Sequence, residues 1–159
     1  MYFSFRCFVD GFVCFPAPKR QPELMGVCVF AASGLNFDVD RYLASSPFKA
    51  TSVFRKGDVP PMNNPERKSK PESGFVVLVS GDQEVGLVLQ LREGWAFLNE
   101  YGAELQAMRK VGVDNMLLDF GMQVTDKIQQ VEYFPPELIM ALGRLGLGLM
   151  FSVVQIPRG

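Results

Sequence analysis

Asp119 is the residue whose setting invites chemistry. It lies in the run N-M-L-L-D-F-G-M-Q-V at 115–124, whose alternation predicts a strand with Met116, Leu118, Phe120 and Met122 on one face. Asp119 then falls on the other face with Leu117 and Gly121. A carboxylate on a covered face needs a partner or a shifted pKa, and beside a concave surface it could bind a ligand or move a proton. On an uncovered face it is solvated or structurally paired. Tyr133 and Arg55 are the side chains that could assist it. The tripeptide Asp119-Phe120-Gly121 also spells the kinase magnesium motif. Nothing supports that match, because no H-R-D loop and no glycine-rich loop before a lysine-bearing strand accompany it.

The chain contains no histidine. Ser-His-Asp and Cys-His catalysis is therefore excluded, as are zinc sites that use imidazole. Cys7, Cys14 and Cys28 form no C-x-x-C pair and lack a fourth ligand, so no metal site is expected. Cys28 sits inside an apolar strand and reads as inert core. Gly143, Gly146 and Gly148 close a helix before a strand, the reverse of a dinucleotide loop, and no P-loop occurs. No cofactor is expected.

Arg55, Lys56, Arg67 and Lys68, with Lys70, gather in or beside an irregular stretch at 57–73. Asp58, Glu66 and Glu72 offset them, so the segment reads as a solvated loop or a contact for an anionic partner. It is too weakly positive, and too poor in interleaved aromatics, for nucleic acid. Glu132, Tyr133 and Glu137 surround the Pro135-Pro136 turn, where carboxylates also suit a helix N-terminus.

These side chains need a scaffold, and the composition provides one. Of 159 residues, 48% are hydrophobic and the net charge is −1, which suits one well-filled domain and gives no field to attract nucleic acid or an anionic membrane. No apolar run reaches the length of a membrane span, and the sparse, odd cysteine set suits a reducing compartment, so a cytoplasmic setting is expected. Residues 1–24 stand apart. Tyr2, Phe3, Phe5, Phe8, Phe12 and Phe15 crowd a short stretch, followed by Pro16, Pro18 and Pro22. They read either as a hairpin turned at Asp10-Gly11 or as an extension outside the domain. The second reading is preferred, with Met25 as a candidate start and a single domain over 25–156.

Along that domain, strands are expected at Gly26–Ala32, Thr51–Lys56, Gly74–Ser80, Asn115–Val124 and Leu147–Gln155. Gly74–Ser80 is apolar on both faces and reads as central. Helices are expected from a cap at Asn36 or Asp38 to Ala44, over Gln90–Val111, and from Pro135-Pro136 to Arg144. Glu84–Leu91 stays open between strand and helix. The order predicts an α+β fold, a two-layer mixed or antiparallel sheet with helices on one face. Its core would be a ferredoxin-like βαββαβ unit with a C-terminal α-β addition.

The pattern G-F-V-V-L-V-S at 74–80, G-V-D at 112–114, L-D-F-G at 118–121, F-P-P-E-L at 134–138 and L-G-L-G-L-x-F-S at 145–152 resembles small bacterial proteins of unknown function. The likeness covers 74–155 and extends weakly back to Met25. It implies a bacterial, stand-alone domain and carries no activity. The leading expectation is a non-enzymatic module that binds another protein through the 57–73 loop or an exposed sheet edge, as immunity-type inhibitors and antitoxin-like proteins do. The alternative is a small ligand-binding domain or carboxylate enzyme centred on Asp119. Partners in nucleic acid or membrane are not expected, and the oligomeric state stays open.

Overall fold

Phe30, Phe75, Leu118 and Phe120 have no exposed surface, and the alternation of the strands carrying them decides which side of the sheet becomes the core. The computed structural model describes residues 25–59, 68–81, 85–124 and 133–155. Within them the elements run β1 (Met25–Gly26), β2 (Cys28–Gly34), α1 (Val39–Leu43), β3 (Ser52–Phe54), β4 (Ser73–Leu78), β5 (Val85–Gly86), α2 (Leu87–Met108), β6 (Asn115–Val124), α3 (Pro136–Leu145) and β7 (Gly148–Gln155). The fold is α+β, with three α-helices and a five-stranded mixed sheet in the order β3-β4-β2-β6-β7. The pairs β3–β4, β4–β2 and β2–β6 are antiparallel, whereas β6 and β7 are parallel and joined through α3. β1 and β5 form a separate two-stranded pair.

The inner face carries Cys28, Phe30 and Ala32 from β2, Phe75 and Val77 from β4, and Met116, Leu118, Phe120 and Met122 from β6, all buried. Leu91, Phe97, Leu98, Leu105 and Met108 of α2 close over it, joined by Val39 of α1 and by Leu138 and Leu142 of α3. All three helices therefore share one core on one side of the sheet. The other side presents Val29, Ala31, Val76, Leu78, Leu117 and Asp119, each half-buried, with no described helix above them.

Local chemistry explains the boundaries. Asp38 caps α1 by accepting from the Arg41 N–H at 3.1 Å. The expected strand at Gly26–Ala32 divides at Val27 into β1 and β2, and Gly26 passes against the Gly121 carbonyl with no room for a Cβ. The open stretch at 84–91 resolves into both alternatives: two strand residues, then a helix that begins at Leu87 rather than Gln90. That helix ends at Met108, and a single 3-10 turn, Arg109–Val111, runs on to a left-handed Gly112. The second expected strand shortens to Ser52–Phe54.

Two interior glycines of α2 differ in their surroundings. A Cβ at Gly94 would sit 3.1 Å from Leu118 Cδ2 and 3.3 Å from the Phe120 ring, while one at Gly102 would meet nothing within 4 Å. Leu118 and Phe120 are wholly buried and have little room to yield. Gly94→Ala should therefore destabilise the fold by about 1–3 kcal/mol. Gly102→Ala should stabilise it by about 0.5–1 kcal/mol, through helix propensity alone. Thermal unfolding followed by circular dichroism reads both, and Tm should move in opposite directions.

Candidate interaction site at the β7 edge

β7 is held from both sides of the sheet. On the open face the Ser152 hydroxyl donates to Asp119 Oδ2 at 2.6 Å. Asp119 pairs across the ladder with Met150, and Gly121 with Ser152, so the bond runs diagonally between neighbouring strands. On the helix face Phe134 stands edge-on to Phe120 at 5.5 Å and to Phe151 at 4.4 Å. The Pro135-Pro136 turn thus delivers an aromatic ring that ties β6 to β7 just before α3 begins. Each such ring pair adds about 0.5–1.5 kcal/mol beyond its buried area.

Among the described residues no strand pairs beyond β7. Every second residue of this strand turns its N–H and C=O toward the outside. The side chains above and below that edge are apolar and open: Met150 is 45% exposed, Phe151 39% and Val153 59%. Ile139 and Met140 of α3 are also exposed. The eight residues G-L-M-F-S-V-V-Q contain no charge and no proline.

The opposite edge is built differently. β3 has three residues and is followed by Arg55, which grips Asp40 with both nitrogens, Nη2 to Oδ1 at 2.6 Å and Nε to Oδ2 at 2.8 Å. That contact holds the Asp40 carboxyl below its usual range, through the hydrogen bond first and the charge second. Lys70 lies over the Phe54 ring at 5.3 Å. The Gly57 N–H donates to the Lys70 carbonyl and the Lys70 N–H to the Asp58 carbonyl, both at 2.8 Å, which closes the neck of the 57–73 loop. Short length and charge guard this edge, as they do in natural sheets.

The residues singled out from the sequence do not converge. Asp119 is on the open face of β6, whereas Tyr133 is exposed beside Phe134, which packs on the helix face. Arg55 follows β3, which is three strands from β6, about 14 Å across the sheet and several residues offset along it from Asp119. Lys56 is exposed, with Nζ 3.5 Å from the Leu35 carbonyl, and Lys68 is exposed. Arg67 and the centre of the loop, like Cys7, Cys14 and the whole of 1–24, lie outside the described residues. Among the described residues no group of three or more acidic or cysteine side chains is placed to hold a metal ion. No described helix is long and apolar enough to cross a membrane.

A groove of about 450 Å³ opens beside the second half of β4, between Pro47–Lys49 and α2, floored by Phe48 and Phe97. Its carboxylates are engaged locally: Glu93 accepts from the Gly81 N–H at 3.2 Å, and Glu100 bonds Tyr101, raising that phenol. Cys28 is buried on the core face, and its thiol is pushed far up by burial, then by the charges of Asp119 and Glu93. It is inert core, as its apolar strand suggested. The backbone N–H of Cys28 donates to the buried Ser80 Oγ at 2.7 Å.

What the residue-by-residue reading passed over is the set that builds the edge: Ser152, Phe134, Phe151 and Val153. A signal was present, since Gly148–Gln155 has the uncharged, two-sided apolar composition of a central strand. Only the strand order reveals that it is a terminal one.

A scan against protein-family models finds no matching family, and searches of curated proteins and of solved structures find no significant match. The edge geometry therefore carries the functional reading.

Two expectations follow. Ser152→Ala leaves Asp119 without its hydrogen bond, at a cost on the order of 1–2 kcal/mol. Hydrogen exchange should quicken in 148–155 before it does in β2. The second concerns alkaline pH. Cys28 and Tyr42 are both held neutral in the folded chain, Tyr42 by burial and then by its 2.7 Å bond to Glu104. Their unfolded counterparts ionise near 9.0 and 10.0, so the unfolded state loses protons first and stability falls as pH rises past those values. The urea midpoint at about pH 10.5 should lie below that at about pH 8.

Proposed function

We propose that this protein is a non-enzymatic binding module that takes up another polypeptide along the edge of β7, a role of the kind that immunity-type inhibitors and antitoxin-like partners play. The single observation behind this reading is an eight-residue edge strand with no charge and no proline, flanked by exposed Met150, Phe151 and Val153. Strand addition to such an edge gains main-chain hydrogen bonds along its length and contacts for alternate side chains on each face. We also read β2-α1-β3-β4-α2-β6 as a ferredoxin-like split βαβ unit to which α3-β7 has been appended. The order β3-β4-β2-β6 and its antiparallel pairings favour that reading. On it, the appended pair is what replaces the unit's own edge with β7.

The second reading, a ligand site centred on Asp119, has one observation in its favour. Asp119 Oδ1 is buried and has no hydrogen-bond partner among the described residues. Against it stands the dispersal of Arg55 and Tyr133.

Affinity capture with the full chain at physiological salt separates the two. A partner retained by the wild-type chain and lost with Val153→Lys supports the edge reading. No retained polypeptide, a second copy of this chain included, or one held equally by Val153→Lys, overturns it. The Asp119 reading would instead show as a metabolite that raises Tm of the wild type and not of Asp119→Asn.

A further inference from the structure

We infer that the polypeptide seated on β7 is a second copy of this chain, the two β7 strands pairing antiparallel about a two-fold axis to make one continuous ten-stranded sheet. This rests on the edge reading given above and names its occupant.

The first support is the absence of any device against self-pairing. Natural edges avoid their own copies by placing like charges opposite one another, by proline, by bulges or by shortness. The β3 edge uses two of these. Gly148–Gln155 uses none, and every copy of the chain meets other copies at its own concentration. A strand kept for a foreign partner alone would still need protection against itself.

The second support is geometric. A two-fold axis perpendicular to the sheet keeps both helix layers on the same side, so residues facing each other across the new ladder must come from the same face. Leu149, Phe151 and Val153 occupy the helix side, where Phe151 meets Phe134. A register centred on Phe151 sets that ring against its two-fold mate and Leu149 against Val153 of the other copy. Met150 then faces Ser152 on the open side. Aromatic and β-branched cross-strand pairs are the favourable ones in antiparallel sheets.

The third support is size. Eight strand residues span about 26 Å, and a sheet-plus-helix slab is about 20 Å thick, so edge-to-edge contact covers roughly 500 Å² per copy. Two copies bury roughly 1,000 Å² in total, the level a specific interface must reach.

Sedimentation equilibrium and light scattering on the full chain test this directly. The expected mass is twice the 17.7 kDa of the chain. Val153→Lys, which puts a charge opposite its own copy's strand, should weaken dimerisation at least tenfold. Met150→Lys, on the other face of the same strand, should do likewise. Both residues are exposed, so the variants should keep the wild-type circular dichroism spectrum. Hydrogen exchange of 148–155 should slow as protein concentration rises. A dimer that withstands both lysines overturns the inference, because the contact then lies elsewhere. So does a monomer whose 148–155 amides are protected at every concentration, the result expected if residues 1–24 occupy the edge in cis. A monomer that still captures a Val153-dependent foreign protein overturns the second copy and leaves the binding-module reading standing. A monomer with no such partner overturns both.

Discussion

Phe30 sits in the middle of β2 with Phe48, Phe75 and Phe97 around it at ring-centroid distances of 5.8, 6.1 and 5.3 Å. These rings come from a strand, a neighbouring strand, a loop and the long helix, so burying them together holds α2 to that side of the sheet. Tyr42 and Tyr101 extend the same cluster at its margin. The buried faces of α2 and α3 both turn to that core, so no described helix lies over the other face of the sheet.

The sheet's two ends are then handled in opposite ways. At β3 the chain stops pairing after three residues and surrounds the end with the Asp40–Arg55 pair and a closed loop neck. At β7 it adds a long strand and secures it only inward, through Ser152 to Asp119 and through Phe134 to Phe151. Rigid support from behind suits the proposed docking role, since a preorganised edge loses less conformational freedom when a partner adds to it. Asp119 fits this arrangement as a strut for the edge.

Asp119 also shows how a chemical reading of a residue changes with its neighbours. Alternation alone places it correctly on the face opposite Phe120. It cannot say that a parallel strand thirty residues later will bring Ser152 to its carboxylate, because that contact depends on the crossover through α3. In the same way Arg55 looks available in the sequence, yet its guanidinium is already bidentate with Asp40 fifteen residues earlier.

The sequence by itself determined the elements. Asn115–Val124 is a strand with the expected inner face, α3 starts at the Pro135-Pro136 turn and ends at Gly146, and the α+β order follows, because period-2 and period-3.6 patterns, caps and prolines are local signals. The structure differs at element ends: β3 is shorter than expected, the first strand divides at Val27, and α2 starts at Leu87. Strand order was decided only in three dimensions. Gly148–Gln155 has the uncharged, two-sided apolar composition of a central strand, yet among the described residues the strand order sets it at the end of the sheet. That mismatch between local composition and global position is what the proposed binding role rests on.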